Sequence, residues 1–263
     1  AARCPGMTSS MARKNGLRLW AVAFWLLAWQ LGAMALAAAY PHGELLLASP
    51  LASLRRLGEL AATSAFWRAV GWSAARIFGG FLLACLAGTA LAALAGRYPL
   101  AEELLAPPAA AVKATPVASF IILALVWLDS RHLPVFISFL MVFPTVYLNL
   151  LEGIRQTDRK LLEMARVFHV PLTRRLRGIY LPQILPYFRS AVSLGLGLCW
   201  KAGIAAEVIG LPAGSMGERL YTAKIYFQTP DLFAWTAAVV AVSAVFERLF
   251  LRLVDTLAGK AAA

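Results

Sequence analysis

Three charged side chains lie within or beside long apolar runs of the sequence: Arg76, Lys201 and Glu207. A charge at the centre of a lipid bilayer costs at least about 2.5 to 3.5 kcal/mol, so each of them needs a partner or water. A cationic Lys201 suits a path for an anionic solute; alternatively, it pairs with an acid on another helix or lies near an interface. Because Lys201 and Glu207 are six residues apart, they point about 240° apart around a helix and are not expected to pair. Arg76 is expected to extend toward the nearest aqueous interface.

The polar segment 158–181 carries a second pattern, on a predicted helical hairpin. One face of its first helix is apolar and comprises Leu161, Met164, Ala165 and Phe168. The opposite face is charged and comprises Arg159, Glu163 and Arg166. Asp158 is the expected N-cap, Pro171 ends this helix, and Thr173 can begin a second one. Such a hairpin either presents side chains to a groove on a soluble partner or only anchors its arginines at lipid headgroups.

No catalytic, cofactor or metal site is predicted. His42, His132 and His169 are dispersed without metal-ligand spacing, and no nucleophile has a convincing base partner. The sequence lacks a Gly-x4-Gly-Lys-Ser/Thr phosphate loop, because its only Gly-Lys pair, Gly259-Lys260, precedes an alanine. The chain is therefore not expected to be an enzyme, and any ATP that drives it must be hydrolysed by a partner chain.

The composition is typical of an all-α integral membrane protein. Hydrophobic residues make up 60% of the 263 residues, against roughly 45 to 50% in soluble domains. Charged residues make up only 14%, against about 25%, which also excludes a disordered chain. The net charge of +12 indicates membrane topology rather than nucleic-acid binding, so lipid is an expected partner and nucleic acid is not.

Six apolar runs predict six transmembrane helices. They are residues 17–39, 70–95, 109–128, 133–154, 184–209 and 232–253. The first run is longer than the roughly 7 to 15 apolar residues of a signal peptide, which favours a retained helix over a cleaved one. Lys113 and Pro116 interrupt the third run, so its inner end is expected to be irregular or kinked.

Lys and Arg residues set the predicted orientation. Seventeen of them fall at one set of alternate connections and six at the other, which predicts that both chain termini are cytoplasmic. The chain begins with Ala, and its expected start is Met7 or Met11. The remaining predicted segments are a cytoplasmic leader over 1–16, an external segment with an amphipathic helix over 40–69, a core domain over 70–255 containing the hairpin, and a cytoplasmic tail over 256–263.

The hairpin resembles the Glu-Ala-Ala loop of binding-protein-dependent ABC importer permeases. That loop reads Glu-Ala-Ala, three residues, Gly, nine residues and Ile-x-Leu-Pro, and the spacing is kept from Glu163 to Pro182. Met164 replaces the first Ala, and His169 stands at the Gly position, where a left-handed turn is less favourable. Further stretches are similar to the nitrate, sulfonate and taurine branch, and the resemblance covers roughly residues 73–254. They are Leu151-Glu152-Gly153-Ile154, Leu185-Pro186-Tyr187, Ala206-Glu207-Val208-Ile209-Gly210 and Asp231-Leu232-Phe233-Ala234.

This resemblance implies a six-helix permease subunit in the bacterial inner membrane. Such a subunit usually pairs with itself and works with two cytoplasmic ATP-hydrolysing subunits and an external substrate-binding protein. Glu207 then has a structural or gating position, and the solute is a small anion such as nitrate, a sulfonate or taurine, or a related small metabolite. The residues expected to couple to the ATPase are Leu161, Glu163, Met164, Ala165, Phe168, His169, Ile179, Leu181 and Pro182.

Three other readings stay open at this point. A transmembrane coupling subunit of an energy-coupling-factor vitamin importer carries an Ala-Arg-Gly pattern twice, whereas Val167 follows Ala165-Arg166 here. An autonomous secondary transporter is less well supported, because the two halves show no convincing repeat. A membrane enzyme lacks a credible active site.

Overall fold

The structure is a computed structural model that describes residues 19–262, and in that range it contains helices and no strand. The predicted leader over 1–16, the start of the first predicted span and the last residue of the tail lie outside the described residues. The longer helices are α1 (Leu19–Ala39), α2 (Pro50–Ala61), α3 (Ser64–Arg97), α4 (Pro99–Ala114), α5 (Val117–Ala124) and α6 (Leu133–Arg155). They are followed by α7 (Arg159–Val167), α8 (Leu172–Arg175), a π-helical turn (Leu176–Tyr180), α9 (Leu181–Gly210), α10 (Met216–Ile225) and α11 (Thr229–Ala262). A single 3-10 turn (Gly43–Leu45) lies between α1 and α2.

The core is built by α3, α6 and α9, with α6 between the other two. Glycines allow these helices to approach closely. A Cβ on Gly80 of α3 would lie 2.2 Å from the carbonyl oxygen of Val135, and one on Gly203 of α9 would lie 2.5 Å from Ile77 Cγ1. Gly80, Gly88 and Gly96 of α3 therefore pack against α6, whereas Gly79 faces open space.

Among the residues that the structure describes, four helical stretches are long and apolar enough to cross a membrane, over 20–39, 64–97, 133–155 and 172–210. The third predicted span is not one continuous helix, because α4 and α5 meet at an angle of 105°. Thr115 is extended with ψ 133°, as expected for a residue before Pro116, so the predicted kink is confirmed, and the bounds 109–128 stay a prediction. If the bent pair counts as one span, the number rises to five. The sixth predicted span lies within the 34-residue α11 and stays a prediction.

Polar contacts fix the two ends of the bundle. We call the end that holds α7, α8 and the start of α9 the hairpin end, and the end that holds α2, α10 and the start of α3 the distal end. At the hairpin end, Arg155 of α6 pairs with Glu102 of α4, and Arg189 of α9 pairs with Asp255 of α11 at 2.5 Å. At the distal end, Arg56 of α2 binds Asp231 through two hydrogen bonds of 2.5 and 3.1 Å.

The helix predicted in the 40–69 segment forms as α2, capped by the Ser49 hydroxyl. Its Leu57 and Leu60 pack against the core, while Leu51 and Leu54 are exposed. Asp231 and Glu59 both accept hydrogen bonds from Arg56, which holds the pKa of the guanidinium above its ordinary value. This arrangement attaches the segment between α1 and α3 to the first turn of α11.

Candidate functional site

The first helix of the predicted hairpin is present as α7, and its predicted N-cap is confirmed. The Asp158 carboxylate accepts the backbone N–H of Lys160 at 2.8 Å. The backbone N–H of Asp158 donates to the side-chain oxygen of Gln183 at 2.9 Å, which ties the start of α7 to the first turn of α9. The hairpin is thus held in a fixed place relative to the longest core helices.

The turn that ends α7 keeps the left-handed conformation although His169 stands where the family motif has Gly. His169 has φ 51°. Its N–H donates to the Arg166 carbonyl at 3.1 Å, and the Val170 N–H donates to the Ala165 carbonyl at 2.9 Å. These two bonds are those of a Schellman C-cap, so the substitution changes the residue but not the turn.

The predicted apolar stripe divides into an exposed part and a buried part. Leu161, Met164 and Phe168 are exposed, at 37%, 51% and 74%. Ala165 is only 1% exposed and packs on its own chain, so its direct contact with a partner stays a prediction. The apolar arc of α7 is wide enough to pack one edge, at Leu162 and Ala165, on its own chain while it leaves the other edge open.

Residues that the sequence analysis did not select extend the exposed part. Val167 is 72% exposed, and Leu172 and Leu176, on the next helical turns, are 63% and 50% exposed. Val167 could have been found from its spacing, since it follows Met164 by three residues and faces the same side of a helix. We call the combined surface the hairpin face; it comprises Leu161, Met164, Val167, Phe168, Leu172 and Leu176.

The other predicted coupling residues surround the hairpin face. Glu163 and His169 are exposed, and Ile179 is half-buried in the π-helical turn that joins α8 to α9. Leu181 and Pro182 begin α9 and are exposed. Pro182 lacks a backbone N–H, so the wider hydrogen-bonding of the π turn just before it fits its position in the chain.

Lys201 and Glu207 occupy opposite environments on α9 and do not pair. Lys201 is exposed and makes no ion pair with any side chain that the structure describes. Leu198 and Leu194, one and two turns before it on the same face, are 41% and 57% exposed. A cation in the middle of an apolar helix face is costly against lipid, so this face needs either water or another chain beside it.

Glu207 is completely buried and joins three helices. Its Oε2 accepts the Ser73 hydroxyl at 2.8 Å and the Gly217 N–H at 3.1 Å. The Ser73 oxygen in turn accepts the Met216 N–H at 2.9 Å. A Cβ on Gly217 would lie 2.3 Å from Glu207 Cβ, so only glycine allows this approach. Sequence reasoning selected Glu207 but gave no sign of Ser73, which is 134 residues away in the chain.

Comparison with known proteins adds two findings. Residues 80–260 match the protein family described as "Binding-protein-dependent transport system inner membrane component". The chain is also 26% identical over 208 residues to a "Probable ABC transporter permease protein" of Brucella melitensis biotype 1, covering 79% of this chain and 84% of the relative. It is 24% identical over 184 residues to the bicarbonate transport system permease protein CmpB of Synechococcus elongatus, covering 70% and 66%. It is 26% identical over 145 residues to the nitrate import permease protein NrtB of Leptolyngbya laminosa, covering 55% and 52%.

Proposed function

The chain belongs to the family of binding-protein-dependent transport system inner membrane components, and we propose that it is the transmembrane permease subunit of an ATP-driven importer of a small anion. The observation that carries this proposal is the hairpin face, an exposed apolar surface on a well-capped polar hairpin between two apolar helices. In a chain without a phosphate loop, the energy of ATP must enter through contact with another subunit.

The hairpin face has the properties of a docking surface for an ATP-hydrolysing subunit. It consists of side chains that a soluble partner would remove from water, and each large one contributes about 1.5 to 3 kcal/mol when fully buried. Glu163 and Arg166 are exposed beside it and can form charge-assisted hydrogen bonds with the partner. The buried Ala165 lets α7 lie close against its own chain. A movement of the partner against the hairpin face would therefore displace α7 and, through the Asp158–Gln183 hydrogen bond, α9.

The solute is proposed to be an anion for two reasons. Bicarbonate and nitrate, named for two relatives, are both anions. Lys201 is an exposed cation on a spanning helix, and a path between two copies of the chain would give it both water and an anionic ligand. We therefore propose a homodimer with Lys201 on the path, Glu207 as the residue that fixes its outer end, and an external binding protein that delivers the solute.

Phe168→Ser tests the docking proposal, with Leu51→Ser as the matched control. Both residues are 74% exposed, but Leu51 lies on α2 at the distal end. In membranes that also contain the proposed ATP-hydrolysing subunit, Phe168→Ser should lower copurification of that subunit and solute-stimulated ATP hydrolysis at least about tenfold. Leu51→Ser should leave both unchanged. Normal copurification and hydrolysis with Phe168→Ser would refute the docking role of the hairpin face.

A further inference from the structure

A groove runs along the outside of α3 and α6 at the distal end. Trp72, Arg76, Gly79, Leu83 and Ala87 share one face of α3, at successive spacings of three or four residues. The upper part is a cleft of ≈ 520 Å³ lined by Trp72, Arg76, Arg131, His132, Val135 and Ala213. The lower part is a cleft of ≈ 400 Å³ lined by Leu83, Ala87, Leu128, His132, Val135, Phe136 and Phe139. His132 and Val135 line both clefts, so the two adjoin.

The two parts of the groove have different chemistry. The upper part carries two guanidinium groups and an imidazole, whereas the side chains of the lower part, apart from His132, are hydrocarbon. Between them, a Cβ built on Gly79 would meet open space, so neither a side chain nor a neighbouring helix fills the groove there. A ligand that fits both parts has an anionic head and an apolar tail.

The positive charge at the upper part is only partly compensated. The Arg76 Nη1 atom is buried and has no hydrogen-bond partner among the residues that the structure describes. Its guanidinium carbon lies 5.3 Å from the centre of the Trp72 ring, and this cation–π contact does not neutralise the positive charge. The buried carboxylate of Glu207 is near enough to interact electrostatically with Arg76, but its Oε2 binds Ser73 and Gly217, its Oε1 has no hydrogen-bond partner among the described residues, and it forms no salt bridge with Arg76.

One acid faces Arg131 and His132. Asp129 accepts the backbone N–H of Arg131 at 3.0 Å, which holds the pKa of this carboxyl below its ordinary value and keeps it ionised. Asp129 forms no salt bridge with the guanidinium of Arg131. The upper part holds two arginines and a histidine but faces only one exposed carboxylate. It is therefore attractive to an oxyanion.

The length of the groove and the exposed aromatic side chain beside its cationic end match those expected of a phospholipid site. Arg76 and Ala87 are separated by eleven residues of helix, or about 16 Å, close to the roughly 15 Å thickness of one hydrocarbon leaflet. Trp72, which lines the upper part beside Arg76, is 58% exposed, as expected where headgroups begin. A hydrophilic solute would gain nothing from the lower part, because Leu83, Phe136 and Phe139 offer it no hydrogen bond.

We propose that this groove binds an acidic phospholipid, with the headgroup phosphate on Arg76, Arg131 and His132 and one acyl chain along Gly79 between Leu83 and Phe136. The bound lipid joins α3 to the loop before α6 and so stabilises the distal end of the core. This site does not depend on transport or on the hairpin face, since it requires only that the distal end lies at a membrane surface.

The headgroup contacts are tested on the full chain in nanodiscs of phosphatidylcholine with or without phosphatidylglycerol. Native mass spectrometry counts retained phosphatidylglycerol, and thermal unfolding measures its effect. Phosphatidylglycerol should raise Tm of the wild type, and Arg131→Gln should weaken its binding about tenfold. Arg131 is exposed, so this variant leaves the core intact, and Arg76→Gln should act in the same direction. Arg68→Gln, which removes an exposed charge from the same helix outside the groove, should retain the full effect.

The acyl-chain contact has its own variant and control. Gly79→Leu places a side chain in the groove and should abolish retention of phosphatidylglycerol, whereas Gly71→Leu, also open but on another side of α3, should not. If inorganic phosphate or methanesulfonate raises Tm of the protein in phosphatidylcholine as much as phosphatidylglycerol does, and Gly79→Leu has no effect, the site binds a free oxyanion and the proposal is wrong. The proposal is equally overturned if Gly79→Leu turns a dimer into a monomer without any dependence on phosphatidylglycerol, because a second copy then covers the groove.

Discussion

At the scale of single residues, Lys201 is the side chain that we propose to select anions on the solute path. Lys201→Met keeps most of the side-chain length and removes the charge, so anion uptake into proteoliposomes should fall at least about tenfold while membrane insertion survives. Lys113→Met, the same change at an exposed position on α4, should leave uptake unchanged. Unaltered uptake kinetics in Lys201→Met would assign Lys201 to packing or anchoring.

The Ser73 hydroxyl holds the distal end of the core together. Ser73→Ala leaves the buried Met216 N–H without its acceptor and Glu207 without one donor, which should cost about 1 to 3 kcal/mol of unfolding free energy. Ser130→Ala, which removes an exposed hydroxyl whose contact is with the neighbouring Asp129, should cost less than about 0.5 kcal/mol. Thermal unfolding in detergent compares the two variants, and equal Tm values would contradict the role of Ser73.

Residue roles were predictable from sequence only where local spacing determines them. Asp158 was identified as a cap because an N-cap acts within three residues, and Lys201 and Glu207 were separated because a helix turns by a fixed angle. The Ser73–Glu207 bond depends on how α3 packs against α9, and no local pattern encodes it. The burial of Ala165 was not predictable, because periodicity defines an apolar arc but not which edge of that arc the chain itself buries.

At the scale of elements, the attachment of α2 to α11 rests on Arg56. Arg56→Ala removes both bonds to Asp231 and should destabilise α2 by about 1 kcal/mol, so amide hydrogen exchange in 50–61 should become several-fold faster. Arg55→Ala is the matched control, because Arg55 is 83% exposed and pairs only with Glu59 of its own helix. Equal exchange rates in the two variants would show that apolar packing alone holds α2.

The helices themselves were largely predictable from sequence. For the breaks between them, the presence of a kink could be predicted but its angle could not. Pro116 predicted a kink because it lacks an N–H and forces Thr115 to be extended, but the 105° angle between α4 and α5 depends on the packing of α5 against α6 and α9. Pro171 was expected to end the first hairpin helix, but α7 already ends at Val167 through the left-handed turn at His169, and Pro171 is instead the N-cap of α8. The π-helical turn before α9 has no counterpart in the apolar periodicity, since such turns arise from local competition among hydrogen bonds.

At the scale of the whole molecule, the predicted orientation of the chain in the membrane puts the hairpin face on the same side as the proposed ATP-hydrolysing partner. The distribution of Lys and Arg predicts that the hairpin end is cytoplasmic and the distal end external. Single cysteines at Arg175 and Glu218, in a background where Cys4, Cys85 and Cys199 are replaced by Ala, should therefore differ in labelling by an impermeant thiol reagent on intact cells. Arg175→Cys should be protected and Glu218→Cys labelled; the reverse pattern would overturn both the topology and the coupling role.

A site-specific crosslink tests the central claim, contact between the hairpin face and an ATP-hydrolysing subunit, most directly. A photoreactive amino acid in place of the half-exposed Met164 should crosslink that subunit in membranes, and the yield should change when ATP is added, because the contact transmits the energy of hydrolysis. The same amino acid in place of Leu51 at the distal end should give no such product. A crosslink from position 164 to lipid alone, with the ATPase subunit present and active, would contradict the account.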